Sequence, residues 1–136
     1  MTIKKENLVE LPFYVDNRGS LVVAEEGGGV PFSIKRVFSV SAKVGEVRGN
    51  HAHKKCSQFM VCTSGQIEVI CNDGVRDSRY LLDSPSTGLH VPPGIWAKEK
   101  YLTDNAVLTV LCDRHYEEED YIHDYNKFIK FEKDNK

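Results

Sequence analysis

Gly45-Glu46-Val47-Arg48-Gly49-Asn50-His51-Ala52-His53-Lys54-Lys55-Cys56-Ser57-Gln58, running on through Phe59-Met60-Val61-Cys62-Thr63-Ser64 to Gly65, is the stretch that decides how this chain folds. His51 and His53 are separated by one residue. On an extended strand, residues i and i+2 point to the same face, so both imidazoles enter one cavity. Two imidazoles sharing a face suit metal ligation or proton transfer near neutral pH. An H-x-H pair alone does not separate those roles from two surface histidines. The pair is, however, framed: Gly45 lies six residues before His51, Gln58 five after His53, and Gly65 seven beyond Gln58.

Outward from this stretch the chain reads as short strands followed by one helix. Strands are expected at Leu8–Val15, Ser20–Glu25, Ile34–Val40, Gln58–Thr63, Gln66–Cys71, Arg79–Leu82, Leu89–Val91, Ile95–Lys100 and Ala106–Leu111. They are rich in Val, Ile, Leu and Phe and are separated by turn signals. Asn72-Asp73-Gly74 is a hairpin turn, because Asp-Gly tolerates positive φ; Ser64-Gly65 and Pro92-Pro93-Gly94 punctuate in the same way. Closely spaced strands predict an all-β sandwich or barrel rather than a parallel α/β sheet. From Glu117 the period turns helical: Tyr121, Tyr125 and Phe128 fall at i, i+4 and i+7, with Ile122 and Ile129 beside them. Glu117 to Asp120 then form the first helical turn, where carboxylates complement the dipole, and they receive no chemical role. Gly27-Gly28-Gly29 lacks the Lys-Ser/Thr of a phosphate loop and is expected as a loop between strands.

Composition bounds the function. The 136 residues carry 18 Lys+Arg and 20 Asp+Glu, a net charge of −2, and 40% hydrophobic residues. One domain with a single core is expected at this length, spanning 1–136, with 132–136 as a disordered tail. No apolar run is long enough for a membrane span, and Met1 to Glu10 is polar rather than signal-like. The near-neutral charge argues against a general nucleic-acid binder. A cytoplasmic domain with no membrane and no nucleic-acid partner is therefore expected. Cys56, Cys62, Cys71 and Cys112 form no C-x-x-C pair, so they are expected to be reduced packing residues.

The spacing of Gly45, His51, His53, Gln58 and Gly65 resembles the first cupin motif, G-x5-H-x-H-x3–4-E-x6-G, and Pro92-Pro93-Gly94-Ile95-Trp96-Ala97 resembles the second, P-x-G-x2-H. The resemblance implies a cupin: a double-stranded β-helix, or jelly-roll barrel, with a C-terminal α-helix appended. Metal-binding cupins place a glutamate where this chain has Gln58 and a histidine where it has Ala97. Two histidines alone hold a divalent ion poorly, so no metal and no cofactor is expected. Pro31-Phe32-Ser33-Ile34-Lys35-Arg36-Val37, Arg48-Gly49-Asn50-His51-Ala52-His53-Lys54-Lys55, Leu82-Asp83-Ser84-Pro85 with Gly88-Leu89, and Asp120-Tyr121-Ile122 with Tyr125 and Phe128 are together similar to the TDP-4-keto-6-deoxyglucose 3,4-ketoisomerases, metal-free cupins acting on sugar nucleotides.

That resemblance implies a sugar-nucleotide isomerase moving a ketone from C4 to C3 through an enediol or enediolate, without a redox cofactor. His51 and His53 are then the catalytic base and its proton-shuttling partner, in either order. Arg36 and Arg48 are candidates for the diphosphate, being able to make bidentate contacts. Gln58 and Trp96 are candidates for the sugar pocket, with core packing the other role open to Trp96. Many relatives carry tyrosines where this chain has Phe38 and Ser39, and a histidine where it has Ala97; both places are expected to face the cavity. Arg18-Gly19-Ser20 resembles members giving the galacto product. The family also implies a homodimer, with N-terminal strands exchanged. The competing readings are a TDP-4-keto-sugar 3,5-epimerase, a non-catalytic sugar-nucleotide-binding cupin, and a metal-dependent dioxygenase.

Overall fold

The computed structural model describes residues 5–135. Among these residues twelve strands precede one α-helix: β1 (Asn7–Glu10), β2 (Phe13–Asp16), β3 (Gly19–Val22), β4 (Arg36–Ser41), β5 (Val47–His53), β6 (Gln58–Ser64), β7 (Ile67–Asn72), β8 (Asp77–Leu82), β9 (Thr87–Val91), β10 (Trp96–Tyr101), β11 (Val107–Cys112), β12 (Tyr121–Ile122) and α1 (Tyr125–Asp134). Two five-stranded antiparallel sheets, ordered β1-β9-β6-β11-β4 and β12-β5-β10-β7-β8, enclose the core, and β2 pairs only with β3. This is the jelly-roll arrangement expected of a cupin.

The alternation of side chains divides the apolar residues into three layers. Inside the barrel are Met60 and Cys62 of β6, Val69 and Cys71 of β7, Ala97 and Tyr101 of β10, and Leu108 and Val110 of β11. The opposite face of β6 presents Phe59 and Val61, which pack with Leu11, Val30 and Leu111 on the outside of the first sheet. Under α1 lies a smaller cluster of Ala52, Trp96, Ile122 and Phe128. A strand is therefore apolar on both faces only where something covers its outer side.

Several expectations change here. The strand expected over Leu8–Val15 breaks into β1 and β2 around buried Leu11 and Pro12, which accepts the Val23 N–H at 3.1 Å. The helix expected from Glu117 begins only at Tyr125, where the Asp124 side chain caps it by accepting the Lys127 N–H at 3.0 Å. Between them Glu118–Asp120 form one 3₁₀ turn, and Tyr121–Ile122 form β12, paired with His53 and Ala52 of β5. The tail expected over 132–136 is helical through Asp134, while Lys136 lies outside the described residues. β5 has no apolar run to announce it. Its residues Val47 to Asn50 are exposed, and its extended form comes from pairing with β10.

β5 carries a bulge. Its register against β10 shifts between Ala97 and Lys98, beside Gly49 (φ 76) and Asn50 (φ 62). Both residues sit in the left-handed region that bulges use. Asn50 turns its side chain outward and accepts the Trp96 indole N–H at 3.0 Å. The next two alternate residues, His51 and His53, are left facing inward.

Candidate active site

The two sheets meet at a slot between β4, which ends one sheet, and the β12–β5 pair, which ends the other. Arg36 of β4 bridges the slot by donating from Nη1 to the Tyr121 hydroxyl at 3.3 Å. Its guanidinium also lies 4.5 Å from the Phe38 ring centre and 5.2 Å from that of Tyr116.

His53 is the most constrained group in the slot. Its Nδ1 lies 2.9 Å from Asp120 Oδ2, and both side chains are buried. Asp120 also accepts the Lys55 N–H at 2.7 Å and the Cys56 N–H at 3.3 Å. Burial alone would raise the Asp120 carboxyl, but these bonds outweigh it and hold it below the usual carboxylate range. An ionised Asp120 fixes the proton of neutral His53 on Nδ1 and leaves the Nε2 lone pair free. Nε2 is buried and has no hydrogen-bond partner among the described residues. Burial pushes His53 below its ordinary value of 6.5 against the pull of Asp120, so the ring is a neutral base at neutral pH.

His51 stands edge-on to His53, with ring centres 5.2 Å apart, and 5.1 Å from Tyr121. Tyr121 packs 4.3 Å from His53 and stacks on His123 at 5.4 Å. Burial, then the neighbouring His53 and His123, bring His51 down to about 4. It is therefore neutral throughout the physiological range, a weak base that can still accept one proton while donating another.

The remaining candidates separate by face. Gln58 is buried, its amide donating to Cys112 Sγ at 3.8 Å. Arg48 is exposed and pairs in register with Glu99 of β10. Trp96 points away from the slot: it packs edge-on to Tyr125 at 5.3 Å and against Phe128 at 5.7 Å, so it anchors α1 instead of lining a sugar pocket. Phe38 and Ala97 face the barrel core. Ser39 faces outward, sharing a 3.1 Å hydrogen bond with Thr109, and so is not a cavity position. Asp120 is the residue of this slot that sequence reading gave no role, because its place in an acidic run made it look like one carboxylate of a helix start.

All four thiols are free and buried. Ligand atoms of His53, Cys56 and Asp120 lie within 4.8 Å of one another, a spacing a soft divalent ion could use. The Asp120 oxygens are already taken by an imidazole and two backbone N–H groups, so this donor set reads as a hydrogen-bonded dyad.

Residues 4–133 match the protein family described as FdtA, WxcM-like, C-terminal. The chain belongs to this family. It is 44% identical over 118 residues to TDP-4-oxo-6-deoxy-α-D-glucose-3,4-oxoisomerase of Aneurinibacillus thermoaerophilus, covering 86% of this chain and 85% of that protein. Among solved structures, it is similar to a 3,4-ketoisomerase from Helicobacter canadensis, with a TM-score of 0.90, 32% identity and coverage of 94% and 97%. It is likewise similar to the sugar 3,4-ketoisomerase QdtA of Thermoanaerobacterium thermosaccharolyticum in complex with TDP, with a TM-score of 0.92, 30% identity and 98% coverage of both. A His-to-Asn variant of QdtA is known in complex with TDP-4-keto-6-deoxyglucose. As a member of this family the FdtA-like chain is a cupin and an isomerase. No helix among its described residues is long and apolar enough to cross a membrane.

Proposed function

We propose that this FdtA-like isomerase converts TDP-4-keto-6-deoxyglucose to the TDP-3-keto-6-deoxyhexose, with His53, oriented by Asp120, as the base at C3. The observation that carries this reading is the buried, unpartnered Nε2 of a histidine whose Nδ1 is held by a carboxylate. The C4 ketone acidifies the C3 proton, so a positioned neutral imidazole is a sufficient base. As Nε2 takes that proton, the C–H electron pair becomes the C3=C4 bond and the carbonyl pair moves to O4. His51 carries the O3 proton to O4. The His53 imidazolium then returns its proton to C4, and the O3 electrons rebuild a ketone at C3. Arg36 and Arg48, at the two sides of the slot, are assigned to the diphosphate. The relative's substrate and the TDP bound by QdtA support the choice of nucleotide.

The galacto product is favoured, on the likeness of Arg18-Gly19-Ser20 to galacto-forming members. A 3-keto sugar is suited to transamination, which places the enzyme on a route to a deoxyamino sugar of a surface glycan. Proton NMR of TDP-4-keto-6-deoxyglucose with the enzyme, in water for the product and in heavy water for exchange, tests the ketone shift and its stereochemistry. A 3-keto product with the small C4 couplings of an axial hydroxyl is expected; deuterium uptake at C3 and C5 with the 4-ketone retained would instead make the protein a 3,5-epimerase.

A homodimer completes the proposal. The β2–β3 hairpin belongs to neither five-stranded sheet, yet exposes Phe13, Tyr14, Val15 and Leu21. Such an apolar ribbon is a surface for a second copy. Sedimentation equilibrium at micromolar protein is expected to give twice the 15.4 kDa chain mass; a monomer would overturn it.

A further inference from the structure

The barrel holds a second buried acid that the dyad does not use. Glu99 is two residues beyond Ala97 on β10, so both side chains point inward. It is 7% exposed, and no hydrogen bond to its carboxyl is found among the described residues. A Cβ on Gly49 would stand 2.6 and 2.7 Å from its two carboxyl oxygens. The acid therefore rests directly on the β5 backbone two residues before His51, and a side chain at position 49 would have to push the carboxyl aside.

An enediolate needs a donor where its negative charge develops. The ring neighbours of His51 are His53, Tyr121 and His123, on β5 or on and beside β12, so a donor on the β10 side has to come from another residue. Ala97, the partner of His51 across the β5–β10 ladder, has no polar atom, and Phe38 contributes only a ring. Arg36 is turned toward the Tyr121 hydroxyl. The neutral His51 is occupied in moving the hydroxyl proton.

We propose that Glu99, in its neutral form, is a further catalytic residue that donates a hydrogen bond to the keto oxygen of the substrate and stabilises the enediolate. This rests on the isomerase reading above. The proton stays on Glu99: as electrons move onto O4 the carboxyl O–H shortens its bond to that oxygen, and it relaxes when the new ketone forms at C3. No net proton or electron is gained by the enzyme.

The surroundings keep the acid protonated. Burial lifts its carboxyl to about 8, opposed only by the positive Arg48 on β5. The other titratable groups near it are Cys71 of β7 and Tyr101 of β10, both uncharged at neutral pH because burial raises them. Turnover should then fall as pH rises through about 8, where Glu99 ionises.

The test compares wild type, Glu99→Ala and Glu99→Gln across pH 6 to 9.5. Glu99→Ala is expected to lose about 10²–10³-fold in kcat, the usual cost of removing one such donor, with TDP affinity retained. Glu99→Gln keeps a donor of the same shape, so it should lose less and its profile should no longer fall near pH 8. Wild-type-like kcat in Glu99→Ala, or an alkaline limb that persists in Glu99→Gln, would overturn the role of Glu99 alone. Absence of any 3-keto product from the wild type would overturn the isomerase reading beneath it.

Discussion

The His53→Asn variant is expected to turn over TDP-4-keto-6-deoxyglucose about 10²–10⁴-fold more slowly than the wild type, the range over which a positioned general base contributes. The loss should lie in kcat, because in the proposed mechanism the side chain removed offers its free nitrogen to a C–H bond and not to the nucleotide. Asparagine keeps an amide near Asp120, so the strap formed by the Lys55 and Cys56 N–H groups on that carboxylate survives. The melting temperature and TDP affinity of the variant should therefore stay close to wild type. Asp120→Asn should also be slow, since it no longer fixes the proton on Nδ1. It should melt earlier as well, because an amide has one accepting oxygen where the carboxylate uses two for the backbone donors of Lys55 and Cys56. Steady-state kinetics and thermal melts check both variants. Turnover within a few-fold of wild type in His53→Asn would remove this residue from the chemistry.

Phe128→Ala should destabilise the protein by about 3–5 kcal/mol, the usual cost of emptying a large aromatic site. Phe128 is fully buried and is the central contact between α1 and the barrel, touching Trp96 and Tyr125 with ring centres 5.7 Å away. The buried residues of the cluster it closes are Ala52, Trp96 and Ile122 besides itself, with Ile129 and Phe131 partly buried against them. This cluster is separate from the barrel core, so that core cannot refill the cavity. A fall in melting temperature of roughly 10 °C or more is expected at this chain length. The functional consequence travels one step further. Ile122 lies in the same cluster and belongs to β12, whose neighbour Tyr121 pairs with His53. Loosening α1 should loosen β12, and with it the Asp120 carboxylate. Activity should accordingly fade below the melting transition, whereas an unchanged melt would mean that α1 is not what anchors this end of the barrel.

The strands were legible where one face is buried and the other wet, as in β4, whose residues alternate along its length. They were also legible where punctuation is strong, as at the Asn72-Asp73-Gly74 turn between β7 and β8. β5 was harder. Its exposed first half carries no alternation, and only the requirement that His51 and His53 share a face implied an extended chain. The acidic run before Tyr121 misled for a physical reason. Glu118, Glu119 and Asp120 are as suited to a helix N-terminus as to a 3₁₀ turn, and local preference cannot choose between them. What chooses is the two-residue pairing of β12 with β5, made across 67 residues of sequence between His53 and Asp120. The likeness to known isomerases drew attention to Asp120-Tyr121-Ile122 as a block, but not to which atom Asp120 holds. Glu99 was hidden likewise: an isolated glutamate between two lysines reads as surface, and only the inward pleat of β10 buries it.

The most direct test of the account follows the C3 proton itself. The His51→Asn and His53→Asn variants, each incubated with TDP-4-keto-6-deoxyglucose in heavy water, are followed by proton NMR. If His53 is the carbon base and His51 moves the hydroxyl proton, His51→Asn washes deuterium into C3 while forming little 3-keto product. His53→Asn leaves the C3 proton in place. Exchange at C3 in His53→Asn, with none in His51→Asn, would reverse the roles and contradict the assignment of the dyad as the base.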